Sequence, residues 1–345
     1  MPKLLVTGGA GFIGSNFARY WAARRPADVM VVLDALTYAG DRANLEGVQH
    51  VFAHGDIRDT QLVRRLIRDH RLDTIVHFAA ETHVDRSIAG PDAFVETNVV
   101  GTHSLLKAAH AEWLDTGTGC PHRFHHISTD EVYGSLGPDD PAFTETTPHA
   151  PNSPYAASKA ASDHLVRAYH RTYGLQTTLT ACSNNYGPYQ HPEKLIPLFL
   201  RNCLTGRPLP IYGDGLNVRD WLHVDDHVRA IELALQRGTP GETYNIGGGE
   251  ELPNLALIDA LCAAVDRAFA ADAELARRFP NASAARGEAS SCLKSFVPDR
   301  LGHDRRYAID DGKARVELGY TPQHSFEARL AATVDWYLSR PGFAA

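Results

Sequence analysis

The sequence predicts an α/β protein built on a doubly wound parallel sheet, with a second, smaller α/β domain. In the first half of the chain, short runs rich in Val, Ile and Leu alternate with segments of helical periodicity. Near-continuous apolar strands separated by helices are typical of a parallel sheet that is covered on both faces. After about residue 183, Pro and Gly become frequent and the periodic segments shorten, which indicates a second domain. The chain has 345 residues, 43% of them hydrophobic, and can therefore bury a large core.

The same patterns predict the order of the elements. Strands are expected at 3–8, 29–35, 48–56, 74–80, 124–129 and 176–183, and helices at 15–25, 60–70, 93–114 and 155–173. A helix at 221–236 and a strand at 243–249 are expected to return to the main sheet. We therefore assign residues 1–182, with about 218–247, to the first domain, and about 183–217 and 248–345 to the second. The Ala-rich segment 268–294 is expected to form an exposed helix and a loop.

Charge and hydropathy argue against several classes of protein. The net charge is -7, the isoelectric point is about 6.2, and no long basic run occurs. Binding to nucleic acid or to an acidic membrane therefore has no electrostatic support. We see no signal-peptide pattern, and no apolar run approaches the ~18 residues of a membrane span. The expectation is a cytoplasmic protein.

Cysteine and histidine usage does not predict a metal site. The cysteines are scattered, odd in number and without a CxxC pair, which favours reduced, mostly buried thiols; they are Cys120, Cys182, Cys203, Cys262 and Cys292. No HExxH motif occurs. The histidines of "HRFHH" suit the entry of a strand better than a metal cluster; they are His122, His125 and His126.

The stretch "LLVTGGAGFIGS" predicts a dinucleotide site. It places Gly9, Gly11 and Gly14 in G-x-G-x-x-G spacing, after the first strand and before the first helix. Glycine permits a tight turn and lets a pyrophosphate approach the positive end of the helix. Asp34 ends the second strand, where a carboxylate accepts hydrogen bonds from ribose hydroxyls and repels a 2′-phosphate, so NAD is favoured over NADP. The alternative for Asp34 is a helix N-cap.

The stretch "PNSPYAASKAASDHL" predicts a Tyr–Lys pair on one helix. Ser153 suits the N-cap and Pro154 the first helical position. Tyr155 then lies in the first turn, and Lys159, four residues later, shares its face. A free tyrosine titrates near ~10, and a nearby ammonium and a positive nicotinamide ring would lower its pKa toward that of a base. The alternative is an ordinary amphipathic helix with a surface lysine.

Two acids stand side by side in "ISTDEVYG", directly after the fifth strand. Repulsion between Asp130 and Glu131 disfavours double ionisation and can keep one of them protonated near neutral pH. A pair of this kind suits a reaction that needs both a general acid and a general base. The alternative is two solvated loop acids.

Several strings together resemble the dTDP-glucose 4,6-dehydratases, a family of extended short-chain dehydrogenases/reductases with a Rossmann-type domain. They are "AAETHVDRSI", "ISTDEVYG", "SPYAASKAASDHLVRAY", "SNNYGPYQHPEKLIPL", "VRDWLHVDDH", "ETYNIGGG" and "DRLGHDRRYAID". The resemblance implies that NAD oxidises sugar C4 while Tyr155 removes the 4-OH proton. Water then leaves across C5–C6, and C6 is reduced. It also implies that Glu131 is the base for C5–H, that Asp130 is the acid for the C6 hydroxyl, and that Thr129 binds the 4-oxygen.

The resemblance further implies two sets of binding residues. The expected cofactor contacts are Gly8, Gly11, Phe12, Ile13, Gly14, Asp34, Ala35, Leu36, Thr37, Asp56, Ile57, Phe78, Ala79, Ala80, Thr82, Thr97, Tyr155, Lys159 and Asn185. The expected substrate contacts are Thr82, Ser87, Thr129, Asn184, Lys194, Leu195, Pro210, Tyr212, Arg219, Asn254, Asp299, Arg300 and His303. In the family, the helices expected at 93–113 and 155–173 pair across a two-fold axis into a homodimer. The apolar residues of these helices are equally consistent, from the sequence alone, with burial of the helices within one chain.

Three other functions compete with this interpretation. A sugar-nucleotide 4-epimerase usually has small residues where Asp130 and Glu131 stand. A UDP-glucose 4,6-dehydratase shares the chemistry and differs at the base pocket, so the choice between thymine and uracil stays open. A non-catalytic NAD-sensing protein on the same fold typically lacks the Tyr–Lys pair, which this chain retains.

Overall fold

A computed structural model describes residues 2–116 and 121–343 of the chain. Within these residues the strands are β1 (Lys3–Thr7), β2 (Val29–Asp34), β3 (Val51–His54), β4 (Thr74–His77), β5 (Arg123–Thr129), β6 (Thr177–Cys182), β7 (Asn184–Tyr186), β8 (Leu209–Tyr212), β9 (Val218–His223), β10 (Thr243–Ile246), β11 (Glu251–Pro253) and β12 (Lys294–Val297). The helices are α1 (Phe12–Arg24), α2 (Thr60–His70), α3 (Val84–Ala89), α4 (Asp92–Phe94), α5 (Thr102–His110), α6 (Pro154–Tyr173), α7 (Leu195–Thr205), α8 (Val224–Arg237), α9 (Asn254–Ala271), α10 (Ala273–Arg278) and α11 (Phe326–Leu338).

The main sheet has the order β10-β6-β5-β4-β1-β2-β3, and every neighbouring pair in it is parallel. Its strands are apolar on both faces, so each face carries a buried cluster of its own. Leu5, Val31 and Ile75 pack on one face, whereas Leu4, Val32 and Val76 pack on the other. This alternation along each strand confirms the predicted doubly wound fold.

A second set of elements packs around a separate core. Strand β9 pairs with β7 and β11, and β8 pairs with β12 in a two-stranded parallel sheet. Side chains of α7, α9 and α11 meet there, among them Leu200, Leu261 and Leu330. The predicted return to the main sheet is confirmed, because β10 pairs with β6. The helix predicted from Trp221 begins instead at Val224, because residues up to His223 belong to β9.

The helix predicted at 93–114 is interrupted by two wider turns. Residues between α4 and α5 form a π-helical segment, Val95–Gly101, and a second one, Ala111–Asp115, follows α5. Single π turns inside α-helices often occur at functional sites. Thr97, on the first of them, faces the cleft described below.

Many residues of the segment 268–294 are exposed, as its composition predicts, but part of the segment packs into the second core. Its first residues end α9, and α10 and two 3₁₀ turns follow. Leu275, Ala282 and Ser290 are buried, and the first two belong to the second core. Small side chains allow this close packing: a Cβ on Gly206 would collide with the carbonyl of Asn281. The contacts with the second core come from Phe269, Leu275 and Phe279 as well as from alanines, and composition does not show which of these side chains find partners in the fold.

The described cysteines are free: Cys182, Cys203 and Cys262 are buried, whereas Cys292 is exposed. Cys120 lies outside the described residues. Within the parts of the chain that are described, no group of three or more His, Cys, Asp or Glu side chains could hold a metal ion. None of the helices in those parts is long and apolar enough to cross a membrane.

Candidate active site

A cleft of about 310 Å³ runs along the carboxyl ends of the main strands, where ligands bind in open α/β sheets. The strand register aligns these carboxyl ends, because Thr7 is the register partner of His77 and Thr129 is the register partner of Cys182. The predicted site residues that line the cleft are Gly8, Gly11, Phe12, Ile13, Gly14, Asp34, Ala35, Thr37, Asp56, Ile57, Phe78, Ala79, Ala80, Thr82, Thr97, Thr129, Asp130, Glu131, Tyr155, Lys159, Asn184, Asn185 and Lys194. Leu36 does not line it.

The glycine turn joins β1 to α1 at one end of the cleft. Gly8 has φ +67°, and a Cβ there would lie 2.6 Å from the backbone nitrogen of Ala79. A Cβ on Gly14 would collide with the carbonyl oxygen of Gly8. The backbone is therefore folded so tightly that side chains are excluded, which leaves the helix N-terminus open to a phosphate group.

Asp34 closes β2 and braces the same turn. One carboxylate oxygen accepts from the backbone N–H of Ala10 at 2.9 Å, and the other accepts from Leu36 N–H at 2.8 Å. Burial raises the pKa of Asp34, and these two hydrogen bonds oppose the rise. The helix N-cap alternative does not hold, because an irregular segment follows Asp34 up to the 3₁₀ turn Arg42–Leu45. The carboxylate is thus fixed at the edge of the cleft, where ribose hydroxyls can reach it.

The predicted Tyr–Lys pair lies at the start of α6. Ser153 caps this helix by accepting from the backbone N–H of Ala156 at 3.1 Å, and Pro154 occupies the first turn. Tyr155 and Lys159 are both buried. Lys159 Nζ donates to the carbonyl oxygen of Ile127 at 2.8 Å, which ties α6 to β5. The surface-lysine alternative is therefore wrong.

The polypeptide alone does not lower the pKa of Tyr155; the expected lowering also involved a positive nicotinamide ring. Burial raises this pKa well above 10, and the negative charge of Glu131 raises it further. A hydrogen bond shared with the Thr129 hydroxyl acts in the opposite direction. Activation of Tyr155 as a base therefore needs an additional positive charge beside its ring.

The adjacent acids occupy different environments, although they are neighbours in the chain. Both lie in the 3₁₀ turn Asp130–Tyr133, whose N-cap Thr129 accepts from the backbone N–H of Glu131 at 3.3 Å. Asp130 is 1% exposed, and its pKa is raised well above 3.8 by burial and then by the charge of Glu131. Burial also raises the pKa of Glu131, but Arg300, Arg219 and Lys194 oppose that rise. Burial therefore raises the pKa of both acids, but three cations oppose the rise at Glu131, whereas Arg219 opposes it at Asp130. The interpretation as two solvated loop acids is wrong, because Asp130 is buried.

Three cations come together beside Glu131 from distant parts of the chain. Arg219, on β9, is 4% exposed and donates to the carbonyl of Asp304 at 2.8 Å. Its guanidinium stacks on the ring of Tyr307, with 4.3 Å from Cζ to the ring centroid. Lys194 Nζ donates to the carbonyl of Thr82 at 3.1 Å, at the border of the cleft. Such a group suits a doubly charged diphosphate.

Nine predicted substrate residues lie outside the cleft lining: Ser87, Leu195, Pro210, Tyr212, Arg219, Asn254, Asp299, Arg300 and His303. Most of them belong to the second set of elements. His303 Nδ1 lies 2.6 Å from Asp299 Oδ1, and the His303 ring meets the Tyr212 ring edge-on at 6.3 Å. Ser87 is different, because its side chain is fully buried and donates to the carbonyl of Val84.

Some site residues were missed by sequence reasoning. Tyr38, Glu81, Gln190 and His191 line the cleft. Tyr307, whose hydroxyl donates to Asp304 at 2.5 Å, is close enough to Glu131 for that charge to raise the pKa of Tyr307. A lone aromatic residue in a polar segment gives no signal of such a role, since it fits the core equally well.

The glycine turn, the acidic strand end and the Tyr–Lys pair on one edge of this sheet define an extended short-chain dehydrogenase/reductase. The family model described as GDP-mannose 4,6 dehydratase matches residues 5–333. A dTDP-glucose 4,6-dehydratase of Xanthomonas campestris pv. campestris is 53% identical over 346 residues, covering 98% of this chain and 94% of its own length. The chain belongs to the dTDP-glucose 4,6-dehydratase family.

Solved structures agree with this assignment. The dTDP-glucose 4,6-dehydratase DesIV of Streptomyces venezuelae, crystallised with NAD and TYD bound, is 53% identical and superposes with a TM-score of 0.85. The match covers 97% of this chain and 96% of that one. A UDP-glucose 4-epimerase of Thermotoga maritima, solved with UDP-glucose, has a TM-score of 0.82 over 97% of this chain and 98% of its own, at 29% identity. The fold is therefore shared by dehydratases and epimerases.

Proposed function

We propose that the protein converts dTDP-glucose to dTDP-4-dehydro-6-deoxy-glucose and water, as an NAD-dependent lyase in deoxysugar biosynthesis. One observation carries the assignment: the buried carboxyl of Asp130, whose pKa is raised well above its usual value, adjoins Glu131 in one turn beside the Tyr155–Thr129 pair. Oxidation at C4 needs only the tyrosine, whereas elimination of water also needs an acid and a base.

The cleft fits NAD. The Gly8 and Gly14 cradle, which any Cβ would fill, would hold the pyrophosphate, and Asp34 would accept from the adenosine ribose. When bound, NAD supplies a reversible two-electron acceptor next to the sugar. The predicted contacts at 56–57, 78–80 and 97 line the same cleft.

At C4, Tyr155 takes the proton of the 4-hydroxyl while Thr129 binds the same oxygen. Tyr155 must act as a phenolate at this moment, although burial opposes ionisation. The buried charge of Lys159 and the proximity of a positive nicotinamide ring favour the phenolate. The resulting ketone acidifies the proton on C5, which prepares elimination.

At C5 and C6, the two acids work on neighbouring carbons. Glu131, whose negative charge is favoured by three nearby cations, would remove the C5 proton, and Asp130 would donate its proton to the departing C6 hydroxyl. Adjacent residues in a 3₁₀ turn point in different directions, so each can face its own carbon. The water molecule formed carries the Asp130 proton. Glu131 would then return its proton to C5, and the hydride taken from C4 would be delivered to C6, which gives the 6-deoxy product.

The sugar nucleotide is expected to extend from this centre into the second set of elements. Arg219 and Arg300 would bind the diphosphate, and Pro210, Tyr212 and Asn254 are expected to contact the rest of the nucleotide. The higher identity to dTDP-glucose 4,6-dehydratases than to the UDP-glucose 4-epimerase favours the dehydratase over the epimerase.

The test is incubation of the protein and NAD with dTDP-glucose, followed by the alkali-induced absorbance of the 4-keto-6-deoxy product. UDP-glucose and GDP-mannose serve as parallel substrates. We expect product from dTDP-glucose alone. Product from UDP-glucose instead would identify the protein as a UDP-glucose 4,6-dehydratase. Formation of a 4-epimer without the alkali-induced absorbance would identify it as an epimerase.

We also propose a two-domain division, a homodimer and a cytoplasmic location. Separate cores support the division. The first domain comprises 1–182 with about 218–247, and the second comprises about 183–217 and 248–345. The dimer is supported by apolar side chains left exposed on the predicted pairing helices, including Val95, Val100 and Tyr173.

A further inference from the structure

A buried carboxylate lies next to the active site and has no part in the chemistry above. Asp163 is 2% exposed and lies on α6, one helical turn after Lys159, so the two side chains share a face. Its Oδ2 accepts from Ser128 Oγ at 2.7 Å. Its Oδ1 is 3.2 Å from His126 Nε2 but has no hydrogen-bond partner of good geometry. This oxygen therefore retains its capacity to interact with a charge.

Lys159 is the cation that needs such a partner. It is 4% exposed, and its Nζ contacts only neutral groups at short range, the carbonyl of Ile127 at 2.8 Å and His126 Nε2 at 3.4 Å. A buried ammonium is expensive unless an opposite charge accompanies it. Burial lowers the pKa of Lys159, and Asp163 is the foremost group that raises it. The same His126 nitrogen thus lies between the ammonium and the carboxylate.

Other groups also face Asp163. His126 on β5 and His149 in the loop before α6 are kept neutral near pH 7, because burial lowers the pKa of each. Burial raises the pKa of Asp163 to about 6, and Lys159 opposes this rise more than Ser128, His149 or His164 does. Tyr133 and Arg167 line a small polar cavity beside Asp163. Lys159 is therefore the main charge partner of Asp163.

We propose that Asp163 is a positioning residue, the buried counter-ion that keeps Lys159 an ammonium beside Tyr155. Its effect on turnover rests on the proposed function, because that ammonium favours the phenolate form of Tyr155 during C4 oxidation. The electrostatic pairing itself is independent of any substrate. Without the carboxylate, the pKa of Lys159 would fall further below its usual value.

The direct test is a pH titration of Lys159 by NMR. The chain has six lysines, so protein carrying ¹³C at the lysine ε-carbon gives few resonances, and Lys159→Met identifies the one from Lys159. In Asp163→Asn we expect its titration midpoint to fall by about one to three pH units, the range for loss of a nearby opposite charge. An unchanged midpoint would overturn the proposal. The control is Glu232→Gln, another buried carboxylate, bonded to Tyr20 and Arg25.

Turnover provides the second readout. In Asp163→Asn, kcat should fall progressively as pH rises, with little change in KM, whereas Glu232→Gln should follow the wild-type profile. If the wild-type protein forms no product but the Lys159 midpoint still shifts, the proposed function is wrong and the counter-ion proposal is supported. If Asp163→Asn does not fold, Ser128→Ala weakens the carboxylate form of Asp163. A smaller downward shift of the midpoint is then expected, and its absence counts against the proposal.

Discussion

At the scale of single residues, environment divides the roles of two chemically similar acids. Asp130 faces the interior and other carboxylates, including Asp220, whereas Glu131 faces Arg219, Arg300 and Lys194. The same backbone turn therefore carries both the proposed proton donor and the proposed proton acceptor. Two substitutions test this division.

Glu131→Gln should keep C4 oxidation and lose elimination. The amide cannot take the C5 proton, while Tyr155 and Thr129 are untouched, so reduced cofactor should accumulate on the enzyme and be visible by its absorbance. Loss of a general base should lower kcat by about 10²- to 10⁴-fold. Asp139→Asn, in an exposed loop of the same segment, should behave as wild type. Dehydration by Glu131→Gln at the wild-type rate would refute the role of Glu131.

Arg300→Met should move the acidic limb of the kcat profile to higher pH. The base must be ionised, and the positive charge of Arg300 lowers the pKa of Glu131. Removing that charge raises the pKa, so protonation inactivates the base at a higher pH than before, by about one unit. The profile is measured at saturating substrate, because Arg300 is also expected to bind the diphosphate. Arg305→Met is the control, since Arg305 pairs with Asp214 instead; an equal shift in both variants would contradict the argument.

At the scale of elements, the site depends on how strands end and helices begin. The turn from β1 to α1 works because Gly14 sits against the Gly8 carbonyl, and the start of α6 is set by the Ser153 cap. Both junctions present a helix N-terminus at the sheet edge. A helix placed one residue later would carry Tyr155 away from the cleft.

Gly14→Ala should abolish cofactor binding and destabilise the protein. The added methyl collides with backbone rather than with a flexible side chain, so the turn itself must open. Forced overpacking of this kind costs about 1–3 kcal/mol. Calorimetric titration with NAD and thermal unfolding measure the two effects. Gly90→Ala is the matched control, because a Cβ there meets nothing within 4 Å. Similar losses of NAD affinity and thermal stability in both variants would show that the collision at Gly14 is not the cause.

At the scale of the whole molecule, the cleft lies where the main sheet meets the second set of elements. Glu131 comes from the main sheet, whereas Arg219 and Arg300 come from β9 and from the loop after β12. The acid–base pair is therefore complete only when both parts are packed together. The exposed apolar side chains at Val95 and Val100 lie elsewhere, on the helical segment expected to pair with a second copy.

Val100→Asp should convert the proposed homodimer to monomers. Val100 is 44% exposed, and a charge placed inside an apolar interface would have to be desolvated. Light scattering coupled to size-exclusion chromatography measures the mass of each variant. Val316→Asp is the control, since Val316 is 85% exposed on a π-helical turn outside that segment. A wild-type protein that already elutes as a monomer would disprove the dimer.

Much of the fold was predictable because its signals are local. Strand and helix periodicity, the glycine spacing and the Ser153-Pro154 cap each lie within one short segment, and the structure confirms them. The partial burial of 268–294 and the strand at 218–223 were missed, because side-chain packing and strand pairing depend on partners far away in the chain. The raised pKa of Tyr155 was missed for the same reason, since burial is a property of the assembled fold.

By itself, the sequence determined the class of fold, the dinucleotide turn, the Tyr155–Lys159 pair and the presence of adjacent acids, since each is written in consecutive or regularly spaced residues. Only the tertiary structure decided that burial strongly raises the pKa of Asp130, while three cations oppose such a rise at Glu131. It also decided that Tyr307 lies near Glu131 and that Asp163 accompanies Lys159 in the interior. These outcomes depend on burial and on charges from residues that are distant in sequence, such as Glu131 and Arg300. Such residues come close to each other only after the chain has folded.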